Sequence, residues 1–272
     1  MTYSLFSLAG KTIAFSGATG VLGSEMCRHL ARAGAKVILI GRTPQKLDNL
    51  YEIIKDEGGK ASTYSCDVTE ETQVNLLGSQ IEINEGRVDI LINAAGGNQP
   101  GAVITPAQNL LDLDTEALRK VIDLNYMGTV LPIKALLPIF LRQGHGNIIN
   151  ISSMAASRPM TRVMGYASAK AGIDNLTKFL AVEFAKKHGP DFRVNALAPG
   201  FFLTEQNRNL LTEKDGSLTE RGQQIIAHTP MNRFGNPEDL LGAIHWLCSD
   251  ASKFVTGTIV EVDGGFSAYS GV

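Results

Sequence analysis

The chain has 272 residues, 44% of them hydrophobic and 19% charged, and its 25 basic against 27 acidic side chains leave a net charge of −2. That balance excludes an overall basic footprint for nucleic acid, and the length is enough to bury a substantial core without metals or disulfides. Cys27, Cys66 and Cys248 are widely spaced and match no disulfide framework or metal-ligand pattern. No apolar run approaches the ~18 residues of a membrane span. Met1–Lys11 lacks the charged start and long apolar stretch of a signal peptide. The expectation is a cytoplasmic protein without nucleic-acid, membrane or metal partners.

Gly10-Lys11 leads into Thr12–Ser16, a short apolar run ended by glycines, which reads as a buried strand. Ser24–Ala33 reads as a helix closed by Gly34. Val37–Ile40 and Ala61–Ser65 read as strands, with a helix over Pro44–Glu57 between them. Val68–Gly86 is expected to be helical and Val88–Asn93 a fourth strand. Thr115–Phe140 follows as a long helix, with Pro132 the place to expect a break. Gly146–Ile151, Tyr166–Lys187, Phe192–Leu197, Pro237–Ser249 and Thr258–Val262 then read as strand, helix, strand, helix and strand. Such alternation predicts an α/β fold, a doubly wound parallel sheet with helices on both faces. No repeat or low-complexity linker interrupts it, so one domain is expected over 1–272. The irregular part is 200–235. It is polar and follows a strand end, which predicts a lid over a site.

The first strand runs into Ser16-Gly17-Ala18-Thr19-Gly20-Val21-Leu22-Gly23. Glycines in this G-x-x-G-x-x-G spacing let the backbone approach a pyrophosphate, and the following helix N-terminus attracts the anion. Gly17, Thr19, Gly20, Val21, Leu22 and Gly23 are therefore expected to bind a dinucleotide. The second strand ends in Gly41-Arg42, where an acidic residue would bind the ribose hydroxyls of NAD. A guanidinium can instead pair with a 2′-phosphate, so Arg42 favours NADP, with NAD the alternative.

Tyr166 and Lys170 stand four apart, on one face of a helix. Ser153 lies thirteen residues upstream of Tyr166, at the end of an apolar strand. With the glycine loop, these residues resemble the short-chain dehydrogenase/reductase family. So do Asp67-Val68, Asn93-Ala94-Ala95-Gly96, Asn125, Pro199-Gly200 and Val262-Asp263-Gly264-Gly265, in this order. The resemblance implies a single Rossmann-like domain with a seven-stranded parallel sheet, and a homotetramer or homodimer. It also implies catalytic roles for Asn125, Ser153, Tyr166 and Lys170. Asp67, Val68, Asn93, Ala94, Ala95, Gly96, Tyr166, Lys170, Pro199, Gly200 and Thr204 would contact the cofactor.

The residue types suit carbonyl reduction. Tyr166 would be the general acid in reduction and the base in oxidation. The Lys170 ammonium and the oxidised nicotinamide would lower its pKa from the usual value near 10. Ser153 would stabilise the charge developing on the substrate oxygen, and Asn125 would help hold a relay water near Lys170. The segments Gly96-Gly97-Asn98, 199–208, 228–235 and 263–272 resemble the D-mannonate oxidoreductase (D-fructuronate reductase) branch of the family. The substrate this implies is a sugar acid. Asn98, Arg158, Arg162 and Arg208 are the residues expected to bind it, one arginine clamping the carboxylate through two parallel hydrogen bonds. The alternatives are a gluconate 5-dehydrogenase, a 3-oxoacyl-carrier-protein reductase or a non-catalytic NADP-binding protein.

Overall fold

The computed structural model describes residues 4–204 and 207–271. Seven strands, β1 (Thr12–Ser16), β2 (Lys36–Gly41), β3 (Lys60–Ser65), β4 (Ile90–Asn93), β5 (Gly146–Ile151), β6 (Phe192–Pro199) and β7 (Ile259–Val262), form one sheet in the order β3-β2-β1-β4-β5-β6-β7. Every pairing is parallel. Strands covered on both faces should be apolar throughout, and β1 and β4 are buried at every position. Ile13, Phe15, Val37 and Leu39 pack to one side with Leu30, Leu47 and Ile244. Ala14, Ile38 and Ile40 pack to the other with Leu77, Ile81 and Phe140.

The helices supplying those side chains are α1 (Val21–Arg32), α2 (Pro44–Asp56), α3 (Glu71–Glu85), α4 (Thr115–Ile122), α5 (Gly128–Gln143), α6 (Met164–His188), α7 (Arg208–Leu211), α8 (Glu220–Ala227) and α9 (Leu241–Cys248). The strand order reverses between β1 and β4. At such a switch point the loops leaving the two strands part and open a crevice at their carboxyl ends.

The expected strands are all present, with ends shifted by one or two residues. The long helix departs from expectation. It runs on through Pro132 and Pro138, and its break is a π-helical turn at Asp123–Met127. A window of this helix pair, Thr115–Gln143, is also apolar enough, by length and composition alone, to cross a bilayer. Its apolar residues have another use: Leu131, Leu136, Ile139 and Phe140 are buried in the core with α3 and β5. In 200–235, a bridge between Phe202 and Gly235 closes the base of an excursion that carries α7 and α8. Glu205 and Gln206, within the expected lid, lie outside the described residues.

Two histidines tie the amino-terminal turn to this frame. His245 Nε2 donates to the Phe6 carbonyl at 2.8 Å, which leaves its Nδ1 to accept from His29 Nε2 at 3.0 Å. Burial, then the His245 ring and Arg32, hold His29 below the usual histidine range, against a smaller pull from Glu25. The unfolded chain therefore binds a proton at His29 more readily than the folded one. The stability contributed by the neutral ring is complete above the unfolded pKa of about 6.5 and is lost as pH falls through it. We expect Tm to fall between pH 7 and 5.5, and to fall less steeply in His29→Gln. Parallel slopes in the two proteins would exclude this linkage.

Candidate active site

The loop after β1 meets the loop after β4 across the crevice. Gly17 has φ 73°, and a Cβ there would lie 2.6 Å from the Ala95 nitrogen and 2.7 Å from the Ala94 carbonyl. Only glycine fits, because the left-handed backbone and the close approach both exclude a side chain. A Cβ on Gly23 would likewise run into the Gly17 carbonyl. Helix α1 starts directly behind this loop with no side-chain cap and no acidic residue in its first turn. The N–H groups of Val21, Leu22 and Gly23 thus face the loop unneutralised, as an anion site requires. The cradle fits the pyrophosphate of a dinucleotide.

Thr19, Arg42, Val68 and Ala95 line an adjoining cavity of about 150 Å³ with Gly41. Arg42 Nη1 stands 3.8 Å from Asp67 Oδ2, with the guanidinium largely exposed. Asp67 Oδ1 is taken by the Thr69 amide and hydroxyl. Asn93 lies beneath the crevice. Its amide donates to Asn150 Oδ1 at 3.0 Å, so it braces β4 against β5.

Gly20, Gly96, Ser153, Tyr166, Lys170, Pro199, Gly200 and Thr204 line a cleft of about 320 Å³ with the residues of the cradle. Ser153 follows β5, and Tyr166 and Lys170 fall in the first two turns of α6. Lys170 is buried, donates to the Ile151 carbonyl at 2.6 Å, and sits 5.7 Å from the centre of the Tyr166 ring. Burial pulls its pKa down to about 8, opposed by Asp174 one turn further on.

The protein's own groups act on the phenol in the opposite direction to the lowering expected with the nicotinamide's charge beside it. Tyr166 keeps part of its surface open to the cleft, yet burial raises its pKa above 10. Ser153 lies near enough to oppose that rise. No hydrogen bond of ordinary geometry joins the two among the described contacts, and the Ser153 hydroxyl accepts from the Ala155 amide at 3.2 Å. The chain alone therefore holds Tyr166 protonated.

Asn125 sits in the π-helical turn with both ends of its side chain in use. Its Oδ1 accepts from the Gly97 amide at 3.1 Å, and its Nδ2 donates to the Gly97 carbonyl at 2.7 Å and to the Val121 carbonyl at 2.8 Å. A Cβ on Gly96 would lie 2.6 Å from Asn125 Oδ1 and 3.2 Å from Lys170 Nζ. Asn125 thus positions the Gly96-Gly97 backbone against Lys170.

The expected substrate residues fare unequally. Asn98 lines a separate cavity of about 780 Å³ that also reaches Arg42. Arg158 turns away, its guanidinium donating to the Ser267 carbonyl and fastening the carboxyl-terminal segment. That contact corrects its expected role as a clamp. Arg162 is half-buried and precedes α6, while Arg208 is exposed at the start of α7. Two residues went unseen in the sequence. Asp174 accepts from the buried Ser152 hydroxyl, and its i, i+4 spacing from Lys170 is a signal that could have found it. Arg221 lies on α8, a helix the sequence reading did not resolve.

A cradle for a dinucleotide beside a serine, a protonated tyrosine and a buried lysine can bring a hydride donor, a proton donor and a carbonyl together. The model of one protein family, described as enoyl-(acyl carrier protein) reductase, matches residues 17–267. The chain belongs to the short-chain dehydrogenase/reductase family. It is an NAD(P)-dependent oxidoreductase with the Rossmann-like fold of that family.

The chain is 44% identical to the uncharacterized oxidoreductase UxuB of Bacillus subtilis (strain 168), over 98% of each chain. It is 41% identical to a structure from Haemophilus influenza described as a candidate D-mannonate oxidoreductase with bound NAD. The TM-score there is 0.91, and 98% of each chain is covered. A gluconate 5-dehydrogenase from Burkholderia cenocepacia J2315, in complex with NADP and tartrate, is 31% identical with a TM-score of 0.87 and the same coverage. Members similar to this chain thus bind either nicotinamide cofactor.

Proposed function

We propose that this dehydrogenase/reductase interconverts a sugar-acid ketone and its alcohol, with D-fructuronate and D-mannonate as the pair. The observation that carries the chemistry is the convergence of Ser153, Tyr166 and Lys170 on the cleft that the glycine cradle opens into. The nicotinamide, when bound, supplies or takes the hydride. Ser153 donates to the carbonyl oxygen and holds it beside the phenol. Tyr166 delivers its proton to that oxygen, and its raised pKa keeps the proton in place until the oxygen gains charge. Lys170 orients the tyrosine and puts positive charge beside the proton it gives up.

The sugar-acid assignment draws on the likeness to the Haemophilus protein and on the polar segment 200–235, whose Thr204 and Asn207 line the cleft and which serves as the lid of a single domain. The gluconate 5-dehydrogenase likeness supports a second reading, a keto-gluconate substrate. A cytoplasmic homodimer or homotetramer belongs to the same proposal. Phe179 and Val182 leave an apolar stripe exposed on α6, suited to a second copy. A panel of keto-uronates and keto-aldonates with NADPH and NADH tests the reading through loss of reduced-cofactor absorbance. No turnover of any keto acid, with turnover of acyl-carrier β-ketones, would replace it.

NADPH is the preferred cofactor in this reading, held at its 2′-phosphate by Arg42. Arg42→Ala is expected to weaken NADPH by about 1–3 kcal/mol, roughly 5- to 150-fold, and NADH hardly at all. Cofactor KM values for both proteins check this. A wild type that prefers NADH rejects the assignment before any substitution is made.

A further inference from the structure

Helix α6 holds the exit of β5 at three consecutive residues. Thr177 Oγ1 accepts from Asn150 Nδ2 at 2.9 Å, Lys170 Nζ donates to the Ile151 carbonyl at 2.6 Å, and Asp174 Oδ1 accepts from the Ser152 hydroxyl. Asn150 and Thr177 are fully buried, and Ser152 and Lys170 nearly so. The next residue in the chain is Ser153. Among the described contacts its hydroxyl is bonded to the Ala155 amide, within its own turn, and to nothing on α6. Its place relative to Tyr166 and Lys170 is therefore inherited from the three residues before it.

The three contacts differ in what they can do. The Asn150–Thr177 pair is neutral and extends the brace that Asn93 makes across the sheet. Lys170 is itself one of the groups around the reacting atoms. Asp174 is half-buried and does not line the cleft, whereas Ser152 does. A hydroxyl that donates to a carboxylate makes a charge-assisted bond, roughly twice as strong as a neutral one. The Ser152 amide is meanwhile fixed to the Leu197 carbonyl at 2.8 Å, so β6 holds the residue by its backbone and α6 by its side chain. Asp174 also stands one turn beyond Lys170 on the same helix face. Lys170 and Lys178 on α6 and Glu261 on β7 are the charged groups that act on its carboxylate.

We propose that Asp174 is a positioning residue for the reduction: through Ser152 it fixes the exit of β5, and so the Ser153 hydroxyl, against the charged Lys170. The inference rests on Ser153, Tyr166 and Lys170 being the reacting groups, and not on which sugar acid is the substrate. The carboxylate has a second effect, because its charge favours the Lys170 ammonium against burial. The two effects separate by pH. At about pH 6 Lys170 is charged with or without Asp174, and position alone is read. On the alkaline side the charge is read as well.

The test uses the full chain with the reduced cofactor it prefers, as wild type, Ser152→Ala, Asp174→Ala, the double variant and Asp174→Asn. The substrate is D-fructuronate, or 5-keto-D-gluconate if wild type reduces only that. At about pH 6, Asp174→Ala is expected to lower kcat roughly 10- to 100-fold, the effect of a small misplacement of a reacting group, with the cofactor KM unchanged. Because Asp174 acts through Ser152, the double variant should be no slower than the slower single variant. Asp174→Asn keeps an acceptor for Ser152 and should turn over at close to the wild-type rate at this pH. Its alkaline fall should begin about one pH unit lower than that of wild type, since a neighbouring opposite charge has gone. This variant also carries the test if the alanine variant does not fold.

A wild-type kcat in Asp174→Ala would overturn the proposal. So would losses in Ser152→Ala and Asp174→Ala that multiply in the double variant, because the two residues would then act separately. Equal losses at every pH in Asp174→Asn would reveal a purely structural role and overturn it too. A wild type that reduces neither keto acid would overturn the sugar-acid reading alone. Crystal structures of wild type and Asp174→Ala with bound cofactor then decide the role of Asp174 without a substrate. The alanine variant should show Ser152 and Ser153 displaced from α6, and an unmoved Ser153 hydroxyl would end the proposal.

Discussion

Tyr166→Phe is expected to lower turnover about 10²–10⁴-fold, the usual contribution of a positioned acid or base, with cofactor affinity unchanged. Phenylalanine keeps the ring packed on Ala102, Ala117 and Val121 and keeps its contact with Lys170, so the fold has no reason to change. What disappears is the hydroxyl that gives the proton. The pH profile of the wild type carries a second signature. Lys170 is held down to about 8, so its ammonium is charged below that pH and neutral above it. Carbonyl reduction should therefore fall as pH rises through about 8, where the charge beside the phenol is lost. Near-normal turnover by the Phe variant in a reduced-cofactor assay would remove Tyr166 from the acid-base role.

The direction of the tyrosine shift shows where sequence reasoning reached its limit. Spacing placed Lys170 beside Tyr166, and a neighbouring cation lowers a phenol's pKa. Spacing says nothing of depth, and burial is the larger influence on the phenol here, opposed by Ser153. The central strands were legible for the opposite reason. A parallel strand covered on both faces is a continuous apolar run, and β1, β2 and β4 announce themselves as such. The π-helical turn was not legible. Asp123–Met127 has an ordinary helical composition, and the bonds its Asn125 makes are to Gly97, distant in the chain. Arg158 and Arg162 make the same point within one loop. They are the same residue type four positions apart. The contact of Arg158 with Ser267, 109 residues away, separates a fastener from an arginine with no such partner among the described residues.

The glycine loop yields the other large expected effect, because there the same atom enforces both fold and site. Gly17→Ala should destabilise the protein by about 2–5 kcal/mol. A left-handed backbone costs an alanine about 1–2 kcal/mol, and overpacking adds a similar or larger amount. The overlap is with backbone, at 2.6 Å from the Ala95 nitrogen, so no rotamer change relieves it. Relief requires the loop after β1 to part from the loop after β4, and those loops form the two lips of the cofactor crevice. Cofactor affinity should fall with stability.

Gly10 provides the control. Its φ is 77°, almost the same, and a Cβ there meets nothing within 4 Å. Gly10→Ala should therefore show the backbone effect alone, about 1–2 kcal/mol, with normal cofactor binding. Denaturation midpoints and NADPH titrations of the two variants separate the terms. If Gly17→Ala is no less stable than Gly10→Ala and binds NADPH as wild type does, the close approach of the two loops is not what builds the site.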